Sequence, residues 1–176
     1  MTVKCCLCDK EVEDKFSNNA LPVQDGRCCD DCNLKTVVPA RAVISKKTRF
    51  LEDVQKRERC PIGGDAPDCA GVYVVWERGI EDPLYVGETA NIKARMVDIK
   101  NTWNHSLRKK LALKEFGIKL VSGKFPDDVE KRLDDFMRDS ISVSYFPVSF
   151  GRKEFEEATI AHYPNMLNSP SLRGKK

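Results

Sequence analysis

Two pairs of cysteines constrain this chain before anything else does. Cys5 and Cys8 form one CxxC pair, Cys29 and Cys32 another, and twenty residues lie between the pairs. That is the spacing of a four-cysteine zinc site. Each pair makes a tight knuckle whose backbone amides face thiolate sulfurs, and two knuckles complete a tetrahedron around Zn²⁺. The interval is polar and rich in turn formers, notably Ser17-Asn18-Asn19 and Asp25-Gly26. So small a module cannot fold on apolar burial alone, and metal binding would drive its folding. Four thiolates leave no open position, so the site reads as structural rather than catalytic. Cys6 and Cys28 each adjoin a ligand, which leaves open a CxC pairing or an exchanged ligand.

Composition sets the compartment and the class. Six of the eight cysteines precede residue 33, and Met1 to Lys10 lacks the apolar segment of a secretory signal. Such a cluster then favours metal over disulfides. The expected location is the cytoplasm of a bacterial or phage-infected cell. With 32% charged and 41% hydrophobic residues in 176, the chain reads as globular, with room for one ordinary core and a small satellite. No apolar run approaches the roughly 20 residues of a membrane span, so no membrane partner is expected. The first 45 or so residues resemble treble-clef and zinc-ribbon modules, which are common in phage-encoded and nucleic-acid-associated proteins.

The pattern divides the chain into a zinc module over 1–45, a connector over 46–68 and a second domain over 69–176. The stretch Ser45 to Arg59 is highly charged, and Phe50, Leu51 and Val54 make a narrow stripe on a short helix. Cys60-Pro61 and Gly63 to Pro67 read as loop. Cys60 and Cys69 read as ordinary free thiols. Further on, Gly71–Trp76 and Leu84–Gly87 are strands of a hairpin, being rich in valine and tyrosine. Helices follow over Asn91–Lys100, with Ile92, Met96 and Ile99 inward, and over Asn104–Phe116, ended by Gly117. Lys119–Ser122 is expected as a short strand, Pro126–Arg138 as a helix, Ile141–Val148 as a strand and Arg152–Tyr163 as a helix stopped by Pro164. Ser169–Lys176 reads as a basic tail. The fold class is α+β.

Gly71-Val72-Tyr73 and Tyr85-Val86-Gly87 resemble the two name-giving motifs of the GIY-YIG nuclease family. Arg95 lies ten residues beyond Tyr85, where that family places its arginine. A late helix bearing a glutamate, followed by Pro164 and Asn168, is similar to the family's ending. The resemblance covers about residues 69–168. It implies a small central antiparallel sheet flanked by helices, acting as an endonuclease on phosphodiester bonds with one divalent cation, Mg²⁺ or Mn²⁺.

Tyr73 is implied as general base or water-orienting group, with Tyr85 beside it. A tyrosine ionises near pH 10, so acting as base demands a nearby cation. Arg95, planar and always charged, is the natural phosphate clamp. Glu154, Glu156 and Glu157 compete for the metal. Helical geometry sets Glu156 within the apolar arc of Phe155, Ile160 and Tyr163, where an acid must be paired or metal-bound. An isoleucine four residues later, as in the family's register, also selects Glu156. The family often carries His or Tyr four residues after the arginine, but Ile99 stands there. Either His105 replaces it from the next helix or the site is weakened. Lys93 and Asn168 are candidate substrate-binding residues, and Asn168 also ties down the chain after the last helix.

From Lys93 to Lys119 the bases Lys93, Arg95, Lys100, Arg108, Lys109, Lys110, Lys114 and Lys119 outnumber Asp98 and Glu115. Such a stripe can track a phosphate backbone, and Trp103 within it can stack on a base. Nucleic acid, DNA in preference to RNA, is the expected partner, with the zinc module aiding target binding or stability. The alternative keeps the fold without the chemistry: a binding module or host-interaction protein, of the kind phages encode. Ile99 is the residue that points that way.

Overall fold

The computed structural model describes residues 1–120 and 122–169. It separates into two compact units, Met1–Phe50 and Leu51–Lys176, divided inside the stretch read as a connector.

In the first unit, β1 (Thr2–Lys4) pairs antiparallel with β2 (Glu11–Glu13), and β3 (Asn18–Asn19) with β4 (Arg27–Cys28). The strands are too short to bury a core. Cys5, Ala20, Cys28, Cys29 and Val37 fill the interior. Arginines close the loops: Arg27 Nε donates to Ser17 Oγ at 2.7 Å, and Arg41 donates to the carbonyls of Leu21 and Asn19. A helical turn at Asp30–Cys32 widens over Asn33–Val37 and enters α1 (Val38–Lys56). The helix expected in the connector therefore begins earlier than its charge pattern suggests.

The second unit is built on one antiparallel sheet in the order β5–β8–β6–β7. Its strands are β5 (Cys60–Pro61), β6 (Gly71–Glu77), β7 (Tyr85–Thr89) and β8 (Ile141–Pro147). The central β6 is buried from Gly71 to Trp76. On one face Tyr73, Val75, Tyr85, Val143 and Tyr145 pack with apolar residues of α2 (Ile92–Asp98), α3 (Ser106–Phe116) and α4 (Asp127–Ser140). On the other, Arg57 lies over the Phe146 ring and Arg59 over Trp76 at 3.8 Å, while Trp76 Nε1 donates to Ser144 Oγ. The last helix is α5 (Arg152–His162).

Several boundaries follow from local chemistry. Asn91 caps α2 by accepting from the Ala94 N–H at 2.8 Å. Gly117, at φ +68°, ends α3 in the left-handed region where glycine is favoured. Asp127, Asp128 and Glu130 occupy the first turn of α4, where the helix dipole favours acids.

Two expectations need correction. Cys60-Pro61, read as loop, pairs with β8 through Cys60↔Val143 and Pro61↔Ser142. A proline fits there because an edge strand can leave one position without a ladder donor. Lys119, Leu120 and Ser122 lie in no strand, and Val121 falls outside the described residues. Of the expected basic tail only Ser169 is described, donating its N–H to the Met166 carbonyl.

Candidate functional site

The first unit holds a metal-ready cluster. The Sγ atoms of Cys5, Cys8, Cys29 and Cys32 all lie within 4.8 Å of one another, and Cys8 Sγ stands 3.8 Å from Cys29 Sγ. A tetrahedron with zinc–sulfur bonds of about 2.3 Å separates its sulfurs by about 3.8 Å, so the donor set fits zinc. Burial opposes ionisation of Cys5, yet backbone N–H groups of Cys29, Leu7 and Cys8 and the Cys8 side chain pull its thiol down to about 6. Burial pushes the Cys28 thiol up. Cys6 and Cys28 stand outside the four-sulfur group, which resolves the register the sequence left open.

In the second unit a cavity of about 340 Å³ is lined by Tyr73, Tyr85, Gly87, Glu88, Arg95, Asn104, His105, Ser106 and Glu156. The fold converges on it from β6, β7, α2, the turn before α3, and α5. Strand register explains the two tyrosine–glycine motifs. Tyr73 faces Gly87 across the hairpin, and a Cβ at Gly87 would land on the Tyr73 ring and hydroxyl. Only glycine lets that ring lie across β7. A Cβ at Gly71 would strike the Phe146 carbonyl and Ile92.

The Tyr73 and Tyr85 rings stack with centroids 6.4 Å apart, and the His105 ring is tilted against both. His105 is 5% exposed and caps α3 through its ring: Nδ1 accepts from the Leu107 N–H at 3.1 Å. The neutral ring therefore carries its proton on Nε2, which lies 2.8 Å from the Tyr73 hydroxyl and donates to it. Burial and the Arg95 charge push His105 down to about 4, against the pull of Asp98, so it is neutral at physiological pH. Tyr73, 2% exposed, is held well above the usual phenol range, first by burial and then by Tyr85, and Arg95 only partly offsets this. Its phenol stays protonated. With His105 donating to its oxygen, Tyr73 keeps its own proton to donate into the cavity. Arg95 is one-third exposed and only loosely tied to Asp98 at 3.9 Å.

Of the acids on α5, Glu156 lines the cavity whereas Glu154 and Glu157 are exposed. Ile99 is fully buried in the core. Asn168 does not line the cavity. Its Nδ2 donates to the Val86 carbonyl at 2.7 Å while its Oδ1 accepts from the Val86 N–H, so both ends of its amide hold β7. As a substrate-binding candidate it is displaced to the anchoring role. Lys93 also lies outside this cavity, on another one. Glu88, Asn104 and Ser106 escaped the sequence reading. Glu88 directly follows the Tyr85-Val86-Gly87 motif, which is the signal that marks it, and its carboxylate pairs with Arg152 at 3.1 Å.

The basic stripe is only partly a surface. Arg108 is 2% exposed and bonds to Glu130 and Asp134, each at 2.6 Å, and to Thr102 Oγ at 2.9 Å. Lys114 pairs with Glu77 and Glu115, and Lys110 donates to the Leu167 carbonyl. The acidic stretch on α4 is thus in part the partner of the stripe. Trp103 stays 68% exposed.

The fold and site together define an α+β protein of small antiparallel sheets and five helices among the described residues, with a four-cysteine group able to hold a structural metal ion such as zinc. Among those residues no helix is long and apolar enough to cross a membrane. The chain matches no protein-family model, no curated protein and no solved structure.

Proposed function

We propose that the second unit is a GIY-YIG-type, metal-dependent endonuclease hydrolysing phosphodiester bonds in DNA, with the zinc module aiding target binding or stability. One observation carries this reading: Tyr73, Tyr85, Arg95, His105 and Glu156, scattered over the sequence, line a single cavity. Its acids Glu156 and Glu88 and its hydroxyls are hard oxygen donors, a set that suits Mg²⁺ or Mn²⁺. Such a cation, held at Glu156, would supply charge neutralisation for the phosphate in the transition state.

The chain's own residues divide the remaining work. Arg95 clamps a phosphate oxygen, since guanidinium offers paired donors and never loses its charge. Tyr73 orients the attacking water from a phenol that His105 fixes in place. The His105 Nε2–H also steadies the Tyr73 oxygen should the phenol give up its proton. Tyr85, in contact with Ser106 Oγ at 3.4 Å, completes the polar wall.

The test is a cleavage assay on supercoiled, linear, branched and single-stranded substrates with and without Mg²⁺. Cleavage is expected to require the cation and to disappear in Glu156→Ala and Arg95→Ala. Full activity in both variants overturns the reading. Ile99 buried in the core, together with a Tyr73 phenol held protonated, favours a second reading: a catalytically weak nucleic-acid-binding or host-interaction protein. Binding without cleavage in both Mg²⁺ and Mn²⁺ would decide for it.

A further inference from the structure

A second cavity of about 340 Å³ lies against the face of α2 opposite Arg95. Lys93, Met96 and Val97 line it from α2 at i, i+3, i+4 spacing, Lys100 joins them from the turn just after the helix, and the turn Gly63-Gly64-Asp65 forms its other wall. The walls are joined by backbone bonds: Lys93 N–H donates to the Pro67 carbonyl and Ile92 N–H to that of Cys69. The Asn91 amide also donates to Asp68 at 2.7 Å. Gly63 has φ +81°, and a Cβ built there would stand 2.5 Å from Lys100 Nζ. The lysine head is therefore laid directly over the glycine, at the cavity.

Neither Lys93 nor Lys100 forms an ion pair among the described residues, whereas Arg108 and Lys114 of the same basic stripe are tied to acids. Asp65 is the one carboxylate lining this cavity, so two ammonium groups face one acid. An excess positive charge in a walled, glycine-floored recess selects a compact anion. We infer that this cavity is a phosphate subsite, seating a backbone phosphate of the nucleic acid that flanks the one held by Arg95. A helix is about 10–12 Å across with its side chains, so α2 would stand between two phosphates a few nucleotides apart. This rests on the nuclease reading of the first cavity.

The test is fluorescence anisotropy of the full chain with a labelled DNA duplex, without Mg²⁺, between about 50 and 200 mM salt. Lys93→Gln/Lys100→Gln is expected to weaken binding roughly ten-fold at 0.1 M salt and to lower the salt slope by about 1. Lys131→Gln, an exposed lysine of α4 on neither cavity, is expected to bind as the parent does. Thermal melting of each variant checks that the fold is kept. A double variant with the parent's affinity and slope overturns the subsite alone. A parent chain that binds no DNA overturns both the subsite and the nuclease reading beneath it.

Discussion

The two units solve the problem of small size in opposite ways. In Met1–Phe50 the interior is made of thiols, an alanine and a valine, and the strands are two or three residues long. Little there would hold together without a metal ion. In Leu51–Lys176 a four-stranded sheet carries an ordinary apolar core, and a polar cavity opens where its central hairpin meets α2, α3 and α5. The soft sulfur site is closed and shape-giving. The second unit's cavity is instead lined by hydroxyls, carboxylates and an arginine. On the proposed function, one unit would depend on its ion to fold and the other only to act.

The largest effect is expected from loss of the metal ion in the first unit. Structural zinc carries an apparent binding free energy of about 10–16 kcal/mol in small modules. Cys29→Ser is expected to abolish zinc retention and to unfold the first unit. The second unit should keep its own melting transition, as amide exchange and calorimetry on the full chain can show. A first unit that stays ordered without metal would erase the contrast. On the other side, Arg108→Met takes the cation from a half-buried Glu130 that keeps only the Thr102 hydroxyl and the Phe125 N–H as donors, and is expected to cost about 1.5–3 kcal/mol in denaturant unfolding of the second unit. Zinc content should not change.

His105 gives a pH handle. In the unfolded chain a histidine takes up its proton near pH 6.5, whereas in the fold it is held to about 4. Between those values the unfolded state binds more protons, so stability falls as pH drops through that window, by up to about 3 kcal/mol. Denaturation from pH 7 to 4.5 should show that loss in the parent and not in His105→Gln. The smallest effect is expected from Gly87→Ala, whose methyl group must displace the Tyr73 ring at about 1–3 kcal/mol. Its signature would be a broken Tyr73–His105 hydrogen bond, read as a shift in the imidazole NMR resonances.

Much of this was legible in the residues, and the exceptions share a cause. Cysteine spacing reports directly on a metal tetrahedron, because the knuckle is local in sequence. Helical periodicity separated Glu156 from Glu154 and Glu157, and Ile92, Met96 and Ile99 from their charged neighbours, because one face of one helix decides each case. What stayed hidden depends on contacts between distant segments. Nothing local says that Arg108 is swallowed by α4, that Cys60-Pro61 joins β8, or that Asn168 spends its amide on Val86. The pairing of His105 with Tyr73 is of the same kind: a ring that caps one helix and reaches a strand 32 residues away.

The most direct measurement is single-turnover nicking of supercoiled DNA by the full chain in Mg²⁺, run beside DNA binding, for the parent and Glu156→Gln. If the hard-oxygen cavity is a phosphodiesterase site, the variant keeps its affinity and loses cleavage by at least about a hundred-fold. Equal cleavage by parent and variant, or cleavage that persists in chelator, would contradict it.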